Sequence, residues 1–297
     1  MKQQVLFKDL GKNQPYKEIW DLQENLLQEN VGRKYEFRST KYEVGNMKSE
    51  VGSTKHEVGN TKSEVRNTKL EMENKPQTPN YNPQTTNSEL ETTNYELQSP
   101  THNLQTTNHL LFVEHNPVYT LGKSGDINHI LINEDERTEK GIEFFKINRG
   151  GDITFHGLGQ LVGYPVLDLE YFKTDLGWYL RSLEEVIILT LAEYGLKGDR
   201  SPGETGVWLD PNIKGEERKI CAMGIRCSRW ITMHGFAFNV NTDLQYFNYI
   251  IPCGIQNKQV TSLEKELNYK VSMDEVKEKV KRNFERVFGV ELVNGNN

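Results

Sequence analysis

The chain has 297 residues, a formal net charge of −6 and a pI near 5.8. That mild acidity argues against a nucleic-acid-binding surface, which needs a basic excess or stripe. No stretch approaches the roughly 18 uncharged apolar residues of a membrane span, and Met1–Lys8 lacks the apolar core of a signal peptide. Cys221, Cys227 and Cys253 cannot all pair within one chain, so reduced thiols in a cytoplasmic setting are expected.

In chain order, Pro15–Asn30 reads as an amphipathic helix, with Tyr16, Ile19, Trp20, Leu26 and Leu27 at helical spacing. From Ser39 to Glu73 a seven-residue unit repeats: STKYEVG, NMKSEVG, STKHEVG, NTKSEVR, NTKLEME. A coiled coil needs two apolar seam positions per heptad. Only one recurs here, at Val44, Val51, Val58, Val65 and Met72, and three glycines follow the valines at about 1 kcal/mol each in a helix. A second polar tract of Asn, Thr, Gln and Pro runs from Lys75 to Asn108. Residues 39–108 are therefore expected to be a disordered insertion within a single domain, 1–297.

After the insertion, His109–Leu121 reads as a strand that ends at Asn116-Pro117 or continues past it. Ile142–Ile147 and Leu161–Leu169 are apolar and strand-like, and they flank a run rich in glycine, Arg149 to Gln160 (RGGDITFHGLGQ). Glycine lets a ligand approach the backbone, so this run is expected to be a ligand-contacting loop. Asp175–Tyr194 carries the widest helical stripe and stops at Gly195. Thr205–Leu209, Ile220–Ile225, Trp230–Met233 and Gly235–Val240 are short and β-rich. The last helix starts at Ser272, with Glu275 three residues on, and buries Met273, Val276, Val280, Phe284 and Val287 before Gly289. This order favours an α/β protein of the α+β kind, with a mixed or mainly antiparallel sheet.

Neither nucleotide-loop pattern occurs, and Leu121-Gly122-Lys123-Ser124 reads as a turn. H-E-x-x-H and G-x-S-x-G are missing as well. Cys221, Cys227 and His234 lack zinc-ligand spacing, and both cysteines read as small buried hydrophobes, so no metal is expected. Cys253 differs. It sits between Pro252 and Gly254 after an apolar run, where a tight loop either displays the thiol or half-buries it at a strand end. A thiol with a pKa of about 8.5 needs a partner to react near neutrality. Arg226 and Arg229 read as solvated charges, which leaves Lys219, at the head of an apolar strand, and His234. Residue types alone do not choose between these two.

Three blocks taken together do. Arg149–Tyr164 (RGGDITFHGLGQLVGY), Lys219–Val240 (KICAMGIRCSRWITMHGFAFNV) and Pro252-Cys253-Gly254 resemble the octanoyltransferase family, as does Glu114–Gly122. The resemblance covers essentially everything outside residues 39–108. It implies a fold shared with biotin and lipoate protein ligases, a cysteine acyl-enzyme at Cys253 and a paired lysine at Lys219. It also implies substrate contacts from Arg149, Gly150, Gly151, Asp152, Ile153, Thr154, Phe155 and His156, from Ala222, Met223 and Gly224, and from Gly235, Phe236 and Ala237. The implied donor is octanoyl-acyl carrier protein. The implied acceptors are lipoyl domains of 2-oxoacid dehydrogenases and the glycine cleavage H protein. Neither cofactor, nucleic acid nor membrane is implied. An ATP-dependent lipoate ligase, a transferase acting between lipoyl domains and a non-catalytic binding module are the alternatives.

Overall fold

The computed structural model describes residues 2–53, 105–251 and 259–295. Strand β1 (Gln3–Asp9) leads into helix α1 (Tyr16–Ser53), and β2 (His109–Val113) and β3 (Val118–Leu121) follow. Next come α2 (Glu134–Glu139), β4 (Glu143–Lys146), β5 (Ile153–His156) and β6 (Gln160–Val166). Helix α3 (Leu176–Ala192) precedes β7 (Gly198–Asp199), β8 (Val207–Leu209), β9 (Arg218–Ser228) and β10 (Ile231–Asn239). The chain ends with β11 (Gln259–Val260), α4 (Leu263–Leu267), α5 (Met273–Phe288) and β12 (Val290–Asn294).

Two mixed sheets result. The larger runs β12-β1-β2-β6-β10-β9-β8-β7, with β11 also paired to β9, and the smaller runs β4-β3-β5. Parallel pairs (β1 with β12 and with β2, β3 with β4) sit beside antiparallel ones, which is the α+β arrangement expected. One face of the large sheet is covered by α3 and α5. Tyr179, Leu183, Ile187, Val276, Val280 and Phe284 pack there on Leu161, Ile220, Phe236 and Phe238. The other face receives α1, whose Ile19 meets Leu111, Val162, Tyr164 and Ala237 while Leu27 meets Val166, Ile231 and Met233. The two sides of β6 and β10 thus feed different cores, which is the period-2 consequence of a strand covered on both faces. Helix ends follow local chemistry. Asp175 and Ser272 accept from the amides of Trp178 and Glu275, and Gly289, at φ +67°, ends α5.

Several expectations need correction. His109–Leu121 is two strands in two sheets, because Asn116-Pro117 turns the chain between them. Trp230–Met233 and Gly235–Val240 belong largely to the single strand β10, joined to β9 by a tight turn with both Arg229 and Trp230 at positive φ. Of the Arg149–Gln160 run, Ile153–His156 is a strand paired with β3, so only its two ends are loops. Cys227 is only half-buried, whereas Cys221 is buried; both are free thiols. Arg226 is not simply solvated: it pairs with Glu24 at 2.6 Å.

The boundaries of the insertion also move. The chain divides into Met1–Glu36 with Gln105–Asn297, and a second unit, Phe37–Leu104. Residues 39–53, expected to lack structure, continue α1 as helix, and residues 54–104 lie outside the described part. Residues 105–108 belong to the first unit despite their polarity, because their polar groups fasten it. Thr106 Oγ1 donates to Asp168 at 2.8 Å, Asn108 Oδ1 accepts from the Asp168 amide, and Thr107 exchanges hydrogen bonds with the Asn30 side chain. Among the described residues no helix is long and apolar enough to cross a membrane.

Candidate active site

A cleft of about 500 Å³ opens where β5, β6, β9 and β10 come together, within the range of small-molecule sites, about 300–1,000 Å³. Of the residues expected to contact substrate, Arg149, Gly151, Asp152, Ile153, Thr154 and His156 line it. So do Lys219, Ala222, Met223, Gly224, Gly235, Phe236 and Ala237. Gly150 and Phe155 do not. The Gly150 amide instead ties the loop to β9 through the Ile225 carbonyl at 2.9 Å. Phe155 points to the opposite side of β5, where it stacks on Tyr246 with ring centroids 4.5 Å apart. Cys253 lies outside the described residues.

Register explains why the β9–β10 wall is so bare. Gly224 pairs with Gly235 and Ala222 with Ala237, so small residues face each other across the hairpin, and the larger Met223–Phe236 pair alternates between them. A Cβ on Gly235 would lie 2.2 Å from the Gly163 carbonyl oxygen and 2.7 Å from Pro165 Cδ. Gly235→Ala is therefore expected to destabilise the fold by about 1–3 kcal/mol, since backbone blocks the new methyl group. A urea midpoint indistinguishable from wild type would contradict this close approach. Beside it, His234 holds φ +59° within the strand, and its amide donates out of the sheet to Gln23 Oε1 at 2.9 Å.

Beneath the cleft lies a buried polar layer. Arg149 Nη2 donates to the carbonyl and hydroxyl of Thr120 at 2.8 and 3.0 Å, and Nη1 donates to the Gly150 carbonyl. His156 is held by Gln160 Oε1 at 2.9 Å and Thr120 Oγ1 at 3.4 Å, and it stacks on Tyr16. His115 Nε2 meets the Tyr164 hydroxyl at 2.8 Å, and Nδ1–H donates to the Gln14 carbonyl. Burial lowers the pKa of all three histidines here. It brings His115 to about 4 and, with Arg149 and Arg226 nearby, His234 to about 3. His156 lies well below the ordinary imidazole range, through burial and then the neighbouring His115. These rings are neutral at neutral pH, so His156 and His234 are hydrogen-bonding groups rather than cations.

Lys219 stands on the same wall, at the start of β9. Its ammonium sits 4.5 Å from the centroid of the buried Trp208 ring, a cation–π contact that holds the side chain along β9. Two backbone links frame the segment 252–258. Before it, the Ile251 amide donates to the His129 carbonyl at 2.8 Å; after it, Val260 pairs with Lys219 and the Thr261 amide donates to the Lys219 carbonyl. His129 and Lys219 both line the cleft. Sequence reasoning missed Tyr16, Ser124, His129 and the Gly203–Thr205 turn. These come from segments far apart in the chain, and only β pairing and the α1 contact bring them together. Among the described residues no group of three or more His, Cys, Asp or Glu could hold a metal ion.

Comparison with known proteins agrees with this construction. Residues 87–285 match the lipoyl protein ligase A/B catalytic domain. The chain is 63% identical over 183 residues to an octanoyltransferase of Christiangramia forsetii, covering 61% of this chain and 78% of the relative. It is 63% identical over 185 residues to an octanoyltransferase of Flavobacterium johnsoniae, covering 62% and 79%. In fold it is similar to a bipartite lipoate protein ligase from Thermoplasma acidophilum, at TM-score 0.52 and 20% identity, covering 64% of this chain and 74% of that one. A lipoate-protein ligase A bound with ATP has TM-score 0.52 and 19% identity, with 64% and 76% covered. The family implied by the three sequence blocks is the one these matches support: the chain belongs to the lipoyl protein ligase A/B catalytic-domain family.

Proposed function

We infer that this chain is an acyltransferase that moves an octanoyl group onto a lysine of lipoyl domains, the first step of endogenous protein lipoylation. The identity to octanoyltransferases across most of their length supports it. The observation that carries the chemical reading is the cleft itself, a bare β9–β10 wall with Lys219 on its rim. The donor is octanoyl-acyl carrier protein. The acceptors are lipoyl domains of the 2-oxoacid dehydrogenases and the glycine cleavage H protein. The free thiols Cys221 and Cys227 suit a cytoplasmic setting.

The reaction runs in two steps. The Cys253 thiol first gives its proton to Lys219. The resulting thiolate attacks the donor thioester carbonyl, and the Lys219 ammonium then protonates the departing carrier thiolate, leaving a neutral amine beside the acyl-enzyme. The acceptor amine then attacks the octanoyl-Cys253 thioester, forming an amide and releasing the thiolate beside a Lys219 ammonium. The thioester keeps the acyl group activated, so ATP has no part. Val162, Met223, Phe236 and Ala237 offer the chain an apolar slot. At about 0.8 kcal/mol per buried CH2, the tail contributes several kcal/mol of binding. The links at Ile251 and at Val260 support the role given to Cys253, because each end of its segment is fastened to a cleft-lining residue.

Intact mass of the wild-type protein after mixing with octanoyl-acyl carrier protein tests this reading. One octanoyl adduct, discharged by a lipoyl domain without nucleotide, is expected. Transfer that strictly requires ATP and free octanoate would replace this reading with a ligase.

A further inference from the structure

The second step, on the reading above, poses a proton problem that Lys219 alone does not solve. The acceptor lysine has a pKa of about 10.4 and arrives as an ammonium without a lone pair. It must lose one proton before it attacks and a second as the amide forms. Lys219 has room for one, because it ends the step as the ammonium beside the released thiolate. A second base is needed within the cleft.

The cleft wall holds one. His129 closes the short turn Ile127–His129 and lines the cleft with Lys219. Its Nδ1 lies 2.5 Å from Asp152 Oδ2, and the other carboxylate oxygen accepts from the Asp126 amide at 3.2 Å. Asp152 therefore fixes both the imidazole and the turn that carries it. Nδ1–H donates to this carboxylate, which leaves Nε2 as the ring's proton acceptor. Nε2 has no hydrogen-bond partner among the described residues, and the side chain is 25% exposed, so a proton taken there has a route to water. The His129 carbonyl also accepts from the Ile251 amide, which ties this turn to the chain leading into Cys253. A carboxylate-oriented imidazole with its second nitrogen open to a substrate cleft is the arrangement of a general base.

We propose that His129, oriented by Asp152, is the base that deprotonates the acceptor lysine in the amide-forming step. Nε2 takes one proton from the ammonium and passes it to water. The freed amine attacks the thioester carbonyl and gives its second proton to Lys219. The carbon–sulfur bond breaks, and the thiolate–ammonium pair of the free enzyme is restored. His129 has no part in loading the cysteine.

This assignment rests on the thioester reading, and the test separates the two. Wild type, His129→Gln and Asp152→Asn are each mixed with octanoyl-acyl carrier protein, and adduct formation is timed by intact mass. The adduct is then discharged with a lipoyl domain or, in parallel, with hydroxylamine, an amine uncharged at neutral pH. His129→Gln is expected to load within about twofold of wild type and to discharge to hydroxylamine unchanged. Its discharge to the lipoyl domain is expected to slow by about 10²- to 10⁴-fold. Asp152→Asn, which also alters the cleft lining, is expected to slow discharge to the lipoyl domain by a smaller factor, and by more than it slows loading. Equal slowing of loading and both discharges means a structural role and overturns the assignment, as does undiminished transfer to the lipoyl domain. An unloaded wild type overturns the thioester reading itself.

Discussion

Replacing Cys253 by alanine is expected to abolish the octanoyl adduct and to lower transfer by on the order of 10⁴- to 10⁶-fold, the scale on which removing a nucleophile acts. No other thiol in the chain is placed to substitute. Cys221 is fully buried on β9, and burial, its largest influence, raises its thiol pKa far above the ordinary range. Cys227 is half-buried and likewise raised by burial, and it is absent from the cleft lining. Lys219→Met should retain the fold, because a thioether can take the place of the ammonium against the Trp208 ring, while transfer falls by about 10²- to 10⁴-fold. Since the lysine serves both steps, loading and discharge should fall together, unlike the split expected for His129→Gln. Adduct formation in Cys253→Ala, detected by intact mass, would move the nucleophile elsewhere. A Lys219→Met enzyme that loads at the wild-type rate would remove the lysine from the first step.

Much of this was legible in the sequence, for reasons particular residues make plain. The stripe Tyr179, Leu183, Ile187 and Leu191 announced α3, and Ser272 and Gly289 bracketed α5, because capping and helical periodicity are local. The RGG run and the Gly235–Ala237 segment stood out because a ligand against a backbone needs residues without bulk. What stayed hidden depends on partners distant in the chain. The polar-looking Gln3–Asp9 becomes a strand only by lying between β2 and β12, and Thr106 and Asn108 look like linker until Asp168 needs them. His129 sits in a stretch without any pattern. Its meaning comes from Asp152, twenty-three residues on, whose carboxylate meets its ring.

The same buried layer that floors the cleft is expected to make the protein acid-labile well above the usual carboxylate range. His115, His156 and His234 are each lowered from an unfolded value near 6.5, chiefly by burial. As pH falls below about 6.5, the unfolded chain binds protons that the folded chain refuses, so unfolding gains free energy. Each such imidazole contributes up to about 1.4 kcal/mol per pH unit. The effect of His115 persists down to about pH 4 and that of His234 to about pH 3. Together the three remove up to about 4 kcal/mol per unit, so two pH units consume a large share of a typical stability of about 5–15 kcal/mol. Between pH 7 and 8 the same groups are neutral in both states and the curve is flat with respect to them. Urea midpoints at half-unit steps from pH 8 to 5 should therefore hold level and then drop steeply below 6.5. His156→Gln keeps a polar side chain beside Gln160 and should reduce the slope by about one third, because one refused proton is gone. A midpoint that stays level to pH 5, or resonances of these three imidazoles titrating near 6.5 in the folded protein, would mean that water reaches this layer. Arg149 would then no longer be a guanidinium enclosed by neutral rings, and the floor of the cleft would be wet.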